Sequence, residues 1–149
     1  MPEEKYMRRA LELATEAGEA GEAPVGCVIV KDGKIVAEGE NRRERDGNAI
    51  GHAELIAIDA ACRVLGSWRL SGCEMYVTLE PCPMCAGAII NARIDTLVFG
   101  ARDGKGGAAG GVIDLFYERF NHRPKVYPGL LESECSALLQ DFFRTLRGE

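Results

Sequence analysis

No run of apolar residues in this sequence approaches the ~20 needed to span a bilayer, and its opening, Met1-Pro2-Glu3-Glu4-Lys5, has no basic stretch leading into an apolar one. Both absences argue against a membrane span and an export signal, so a soluble, cytoplasmic protein with no membrane partner is expected. Positive charge is also short. Against 23 Asp and Glu there are 18 Lys and Arg, a formal net charge of −5. That balance argues against holding nucleic acid by bulk electrostatics, because neutralising phosphates takes Lys and Arg in quantity. Internal repeats, low-complexity tracts and linker-like shifts in composition are missing too. With 149 residues and 46% apolar content, the chain can bury one substantial core but is too short for two ordinary domains. One domain over residues 1–149 is expected.

Charge is unevenly placed. The first 24 residues hold six Glu against three Lys and Arg, whereas Arg102, Lys105, Arg119, Arg123 and Lys125 cluster later against Asp103, Asp114 and Glu118. A small basic face and an ordinary solvated surface both fit this pattern. Six cysteines without an export signal read better as reduced thiols or metal ligands than as a disulfide framework.

Tyr6, Ala10, Leu13, Ala14 and Ala17 recur at helical spacing until Gly18 and Gly21. The apolar run Val25 to Val30, the turn Asp32-Gly33 and the resumption at Ile35-Val36-Ala37 predict a hairpin. Ala53 to Leu65 reads as a helix stopped by Gly66, Met75 to Leu79 as a strand, and Pro83 to Asn91 as a helix with proline in its first turn. Thr96 to Phe99 is another strand. Glycines at 100, 104, 106, 107, 110 and 111 predict an adaptable loop, and Leu130 to Leu146 a closing helix. This order implies a mixed sheet covered on both faces by helices.

Two helix entries carry unusual residues: His52-Ala53-Glu54 and Pro81-Cys82-Pro83-Met84-Cys85. Cysteines three apart in a first helical turn share a face, where the positive end of the helix dipole favours thiolates. A redox pair or buried small side chains would also fit two cysteines alone. His52 adds a third ligand, and three protein ligands with no evident fourth describe a catalytic zinc with one position left for water. Glu54 can converge with His52 only at the irregular entry to the helix. From there it would move protons for water activated by the metal. A structural zinc module or a non-catalytic partner subunit remains the alternative, but it has no use for a free carboxylate beside the metal.

His-x-Glu followed by Pro-Cys-x-x-Cys resembles the zinc-dependent nucleobase deaminases of the cytidine deaminase-like superfamily. The likeness extends through Ala23-Pro24-Val25-Gly26, Tyr76 to Cys82, Met84 to Ala88, Phe99-Gly100-Ala101-Arg102-Asp103, Gly107 to Gly110, Asn121-His122 and Asp141-Phe142-Phe143-Arg144. These blocks are similar to those of the tRNA adenosine deaminases in particular. The resemblance implies a three-layer α/β/α sandwich with a mixed five-stranded sheet, one zinc per subunit, a homodimer and a tRNA anticodon arm as partner. The reaction it implies is adenosine to inosine at the first anticodon position. It also implies that Asn41 hydrogen-bonds the flipped nucleoside, and that Asp103, Lys105, Asn121, His122, Phe143 and Arg144 hold the flanking nucleotides. Read without the resemblance, Asn41 ends a strand, Phe143 packs in the core and Lys105 is solvated. Gly111 stands where such deaminases often have Ser, and Asn48-Ala49-Ile50-Gly51 where Asp-x-Thr-Ala is frequent. A deaminase of free guanine, cytosine or adenosine-type compounds is the enzyme alternative.

Overall fold

The computed structural model describes residues 2–149. Its elements are α1 (Glu4–Glu19), β1 (Gly26–Lys31), β2 (Lys34–Glu40), α2 (Ala53–Leu65), β3 (Cys73–Leu79), α3 (Pro83–Asn91), β4 (Thr96–Ala101), β5 (Lys125–Pro128) and α4 (Glu132–Leu146), with a 3-10 turn at Leu115–Tyr117. The strands form one sheet in the order β2-β1-β3-β4-β5. β1 runs antiparallel to β2 and β3, while β4 runs parallel to β3 and β5. The α/β fold with a mixed five-stranded sheet is as the sequence implied.

Alternation along the central strands creates two cores, since successive side chains point to opposite faces. Cys27 and Ile29, Met75 and Val77, and Leu97 and Phe99 pack with Ala53, Ala57 and Ala61 of α2 and Ile89 of α3. Val28, Val30, Tyr76 and Val98 pack instead with Tyr6, Met7, Ala10 and Leu13 of α1 and Cys135 of α4. Helices therefore cover both faces. No helix among the described residues is long and apolar enough to cross a membrane.

Two local features place the functional residues. The hairpin turn puts Asp32 and Gly33 at positive φ, 51° and 74°, the geometry favoured by a two-residue connection. At the far end of β2, a Cβ on Gly39 would lie 2.3 Å from the carbonyl oxygen of Ala53. A bare backbone at Gly39 thus lets the first turn of α2, with Ala53 and Glu54, press directly onto the sheet.

The structure departs from the sequence pattern in two places. β5, implied by the resemblance, is not visible in the residue pattern: it has four residues, only Val126 is half-buried, and its register comes from pairing with β4. The glycine-rich segment after β4 is not loosely held either. It is bound by backbone and side-chain hydrogen bonds to the end of β3.

Candidate active site

The site lies where two helices begin at the end of the sheet. His52 is the N-cap of α2 and Cys82 the N-cap of α3, both in extended backbone (φ −82°, ψ 148° and φ −74°, ψ 173°), with Pro83 as the first helical residue of α3. An N-cap departs from helical geometry, so its side chain can turn back toward the helix axis. His52 and Glu54, which would diverge within a regular helix, both line one cavity here. Cys85 sits one turn into α3, buried beside Cys82.

His52 Nδ1 lies 3.7 Å from Cys82 Sγ and 3.5 Å from Cys85 Sγ. The three donor atoms are within 4.8 Å of one another, the one such cluster of potential metal ligands among the described residues. Two sulfurs and an imidazole nitrogen this close together form a donor set suited to zinc-like ions. The group could therefore hold a metal ion. Electrostatics agree with a shared centre. Cys82 is held down to about 4, chiefly by its hydrogen bond with Cys85 and then by His52, against burial. Cys85 is pushed well up by the same sulfur contact and by burial. His52 is raised by its contact with Cys82, although burial opposes this. Glu54 is only 4% exposed, and burial pushes its carboxyl up to about 7.

The cavity, about 240 Å³, is lined by Asn41, Arg43, His52, Glu54, Glu80, Cys82, Asp103 and Phe143, among others. It adjoins a groove of about 830 Å³ bordered by Arg102, Lys105, Arg144 and Arg147. Asp103 and Phe143 line both. Phe143 is 43% exposed, so it is a wall of the groove and not a core residue. Asn41 does follow the end of a strand, and its amide is fixed. Nδ2 donates to the carbonyl of Ala23 at 3.1 Å, and Oδ1 accepts from the N–H of Arg43 at 3.1 Å. One amide hydrogen and one lone pair remain for a ligand.

Asn121 and His122 stand apart from these residues. His122 Nε2 contacts the carbonyl of Ile94 at 2.7 Å, and Asn121 borders a different groove with Leu55, Met84, Ile90 and Phe120. The basic residues of the groove also differ from those grouped by sequence position. Arg102, Lys105 and Arg144 are present, but Arg119, Arg123 and Lys125 do not line it, and Arg147 joins instead. Arg123 donates to the Tyr117 carbonyl at 2.9 Å and lies over the Tyr117 ring. Cys27, Cys73 and Cys135 are buried and Cys62 half-buried, all free thiols outside the cluster.

Sequence reasoning missed the support behind the cavity. Glu22, with no exposed surface, accepts the N–H groups of Glu44 at 3.0 Å and Arg45 at 2.7 Å, and Arg45 Nε at 3.1 Å. The same guanidinium reaches Glu40 at 3.0 Å and the Asn41 carbonyl at 2.6 Å. Burial alone would raise the Glu22 carboxyl, but these N–H donors and the Arg45 charge outweigh it and hold the group below the usual carboxylate range. A carboxyl depressed in the folded state adds stability above its unfolded pKa and loses it as pH falls through the folded one. Glu22→Gln is therefore expected to cost about 1–3 kcal/mol at neutral pH, a gap that narrows as pH falls and the Glu22 carboxyl of the folded protein takes up its proton. Urea unfolding of both proteins at several pH values checks this, and a gap independent of pH would contradict it.

A protein-family model described as MafB19-like deaminase matches residues 1–147. The tRNA-specific adenosine deaminase of Bacillus subtilis (strain 168) is 51% identical over 146 residues, covering 97% of this chain and 91% of its own length. A solved structure from biochemical and structural studies of A-to-I editing by tRNA:A34 deaminases at the wobble position superposes with a TM-score of 0.88. It is 46% identical, with 91% of this chain and 99% of the other covered. The guanine deaminase of Bacillus subtilis is similar at 36% identity and a TM-score of 0.66, covering all of this chain and 96% of the other. With the His-Cys-Cys cluster and buried Glu54 already in place, these matches show that the chain is a deaminase and belongs to the MafB19-like deaminases of the cytidine deaminase-like fold.

Proposed function

We propose that the protein hydrolyses adenosine to inosine at the first anticodon position of a tRNA, releasing ammonia. One observation carries the reading beyond the His-Cys-Cys cluster: a small cavity at the cluster shares the walls Asp103 and Phe143 with a much larger groove that has four basic side chains. At about 240 Å³ the cavity is below the ~300–1,000 Å³ usual for drug-sized ligands. It suits one extruded base, and the adjoining groove suits the strand that carries it. The cytoplasm, where tRNA is used, is the location that fits this substrate.

His52, Cys82 and Cys85 are the residues that would hold one zinc per chain. When bound there, zinc supplies Lewis acidity that makes water nucleophilic near neutral pH. Glu54 takes one proton of the attacking water on a carboxylate oxygen and delivers it to N1 of the purine, then takes the remaining proton from the new C6 hydroxyl and delivers it to the exocyclic amine as the C6–N bond breaks. Water and adenosine thus become inosine and ammonia. Asn41 orients the nucleoside through its remaining amide hydrogen and lone pair. Asp103, Phe143, Lys105 and Arg144 flank the strand, with the aromatic ring as a stacking face and the cations near phosphates.

A second copy of the chain completes the proposal. The groove bordered by Leu55, Met84, Ile90, Phe120 and Asn121 has an apolar rim, with Phe120 53% and Met84 37% exposed. A homodimer through this face would cover the rim and place Asn121 and His122 near the partner's substrate.

Arg102 already lies 3.5 Å from Glu132, and Arg144 3.1 Å from Asp141. With at most four cations in the groove, the logarithmic salt dependence of RNA binding should be no steeper than about −3. Lys105→Ala is expected to raise KM for an anticodon stem-loop about fivefold, with unchanged metal content. Steady-state kinetics across a salt series test this. Efficient ammonia release from free guanine, cytidine or adenosine with the stem-loop ignored would replace the tRNA reading by a small-molecule one.

A further inference from the structure

The buried carboxylate of Glu80 is not used in the chemistry above. It is 3% exposed and lies between the last residue of β3 and the Pro81-Cys82 turn. Its Oε1 accepts the N–H of Asp103 at 3.0 Å, and its Oε2 accepts those of Ala109 at 2.9 Å and Gly111 at 2.8 Å. These three donors come from 23 to 31 residues away, and they bring the whole glycine-rich segment around one side chain. Backbone bonds reinforce the wrap: Ala108 N–H donates to the Pro81 carbonyl at 2.8 Å, and Glu80 N–H to the Ala101 carbonyl at 2.8 Å. Inside the segment, Asp103 Oδ1 accepts from the N–H groups of Lys105 and Gly106, each at 3.0 Å.

The wrap is tight enough to dictate sequence. A Cβ on Gly111 would lie 2.0 Å from the Asp103 carbonyl oxygen and 2.9 Å from Glu80 Oε2, and a Cβ on Gly107 would lie 2.2 Å from the same Oε2. Neither position can take a side chain unless the segment moves. Gly111, the departure from the serine frequent in similar deaminases, is thus required by this path of the chain.

Asp103 lines both the base-sized cavity and the basic groove, and Lys105 lines the groove. We propose that Glu80 is a positioning residue for substrate: its carboxylate fixes the segment 102–111 against the Cys82 turn and so sets the wall presented by Asp103 and Lys105 at a constant distance from the reacting centre. The inference rests on the deaminase function above and names the device that holds its substrate wall. Because all three partners are N–H donors, the group among them must offer acceptors on both oxygens. An amide in its place would turn an NH₂ toward a donor and release part of the segment.

Loss of the wall weakens binding of substrate and transition state alike, which raises KM and spares kcat. In full-length, zinc-loaded Glu80→Gln, KM for the anticodon stem-loop is expected to rise roughly tenfold. Turnover at saturation should stay within about threefold of the original, metal content should be unchanged, and faster amide exchange should be confined to residues 102–111. Gly111→Ala, which displaces the segment but keeps the carboxylate, should give the same split. Unchanged KM in both variants would overturn the proposal. So would loss of kcat together with zinc, or accelerated exchange throughout the chain, which would make Glu80 a support of the metal site or of the fold. If the unaltered protein ignores the stem-loop, the tRNA reading fails separately. The KM split is then read on whichever free base or nucleoside it deaminates, because Asp103 borders that cavity too.

Discussion

Glu54→Ala is expected to keep its zinc and lose at least about 10²–10⁴-fold in turnover, the usual range for one general acid–base group. The upper end is favoured because the same carboxyl is assigned four proton transfers, and each would have to be taken over by bulk water. Its placement permits all four: 4% exposed, it lines the base-sized cavity together with His52, Cys82 and Asn41. Substrate KM should change little, since the residue acts on bonds being made and broken. Metal analysis alongside single-turnover kinetics checks both halves of the expectation. A variant with near-normal turnover would remove Glu54 from the chemistry, and one that lost its zinc would make it a structural support of the ligand set.

Cys82→Ser and Cys85→Ser should each reduce zinc from one per chain to a small fraction and abolish measurable turnover. Serine keeps the shape but replaces a soft, readily ionised sulfur by a hydroxyl that binds zinc poorly at neutral pH. Two protein ligands would then remain of three, with His52 Nδ1 facing only one sulfur. Alanine replacements at Cys27, Cys73 and Cys135, which lie in apolar cores, should retain full metal and lose only packing. Elemental analysis of these variants decides the assignment, and full occupancy in either serine variant would overturn it.

The His-Cys-Cys cluster was readable because its residues fall at element boundaries that the chain marks clearly. Gly51 precedes His52, Pro81 and Pro83 bracket Cys82, and apolar periodicity identifies α2 and α3 on either side. The central strands were readable from their unbroken apolar runs, which need burial on both faces. What escaped depends on distant partners. Glu22 and Glu80 look like ordinary surface acids until N–H donors more than twenty residues away converge on them. Two of the glycines that suggested an adaptable loop, Gly107 and Gly111, are there because the backbone passes too close to Glu80 and Asp103 for side chains. Arg119, Arg123 and Lys125 share a stretch of sequence with Lys105, but the path of the chain through the 3-10 turn and β5 carries them away from the groove. Arg147, beyond the matched Phe143-Arg144 block, was not singled out, yet it borders the groove one helical turn after Phe143.

The position of the product in an intact tRNA tests the central claim most directly. Zinc-loaded protein would be incubated with a full-length transcript carrying adenosine at the first anticodon position and at other loop positions, and each adenosine then read by reverse transcription, where inosine is copied as guanosine. Conversion at the first anticodon position alone, with none after Glu54→Ala, is the predicted result. An unmodified transcript, with ammonia released instead from free guanine or a free nucleoside, would contradict it.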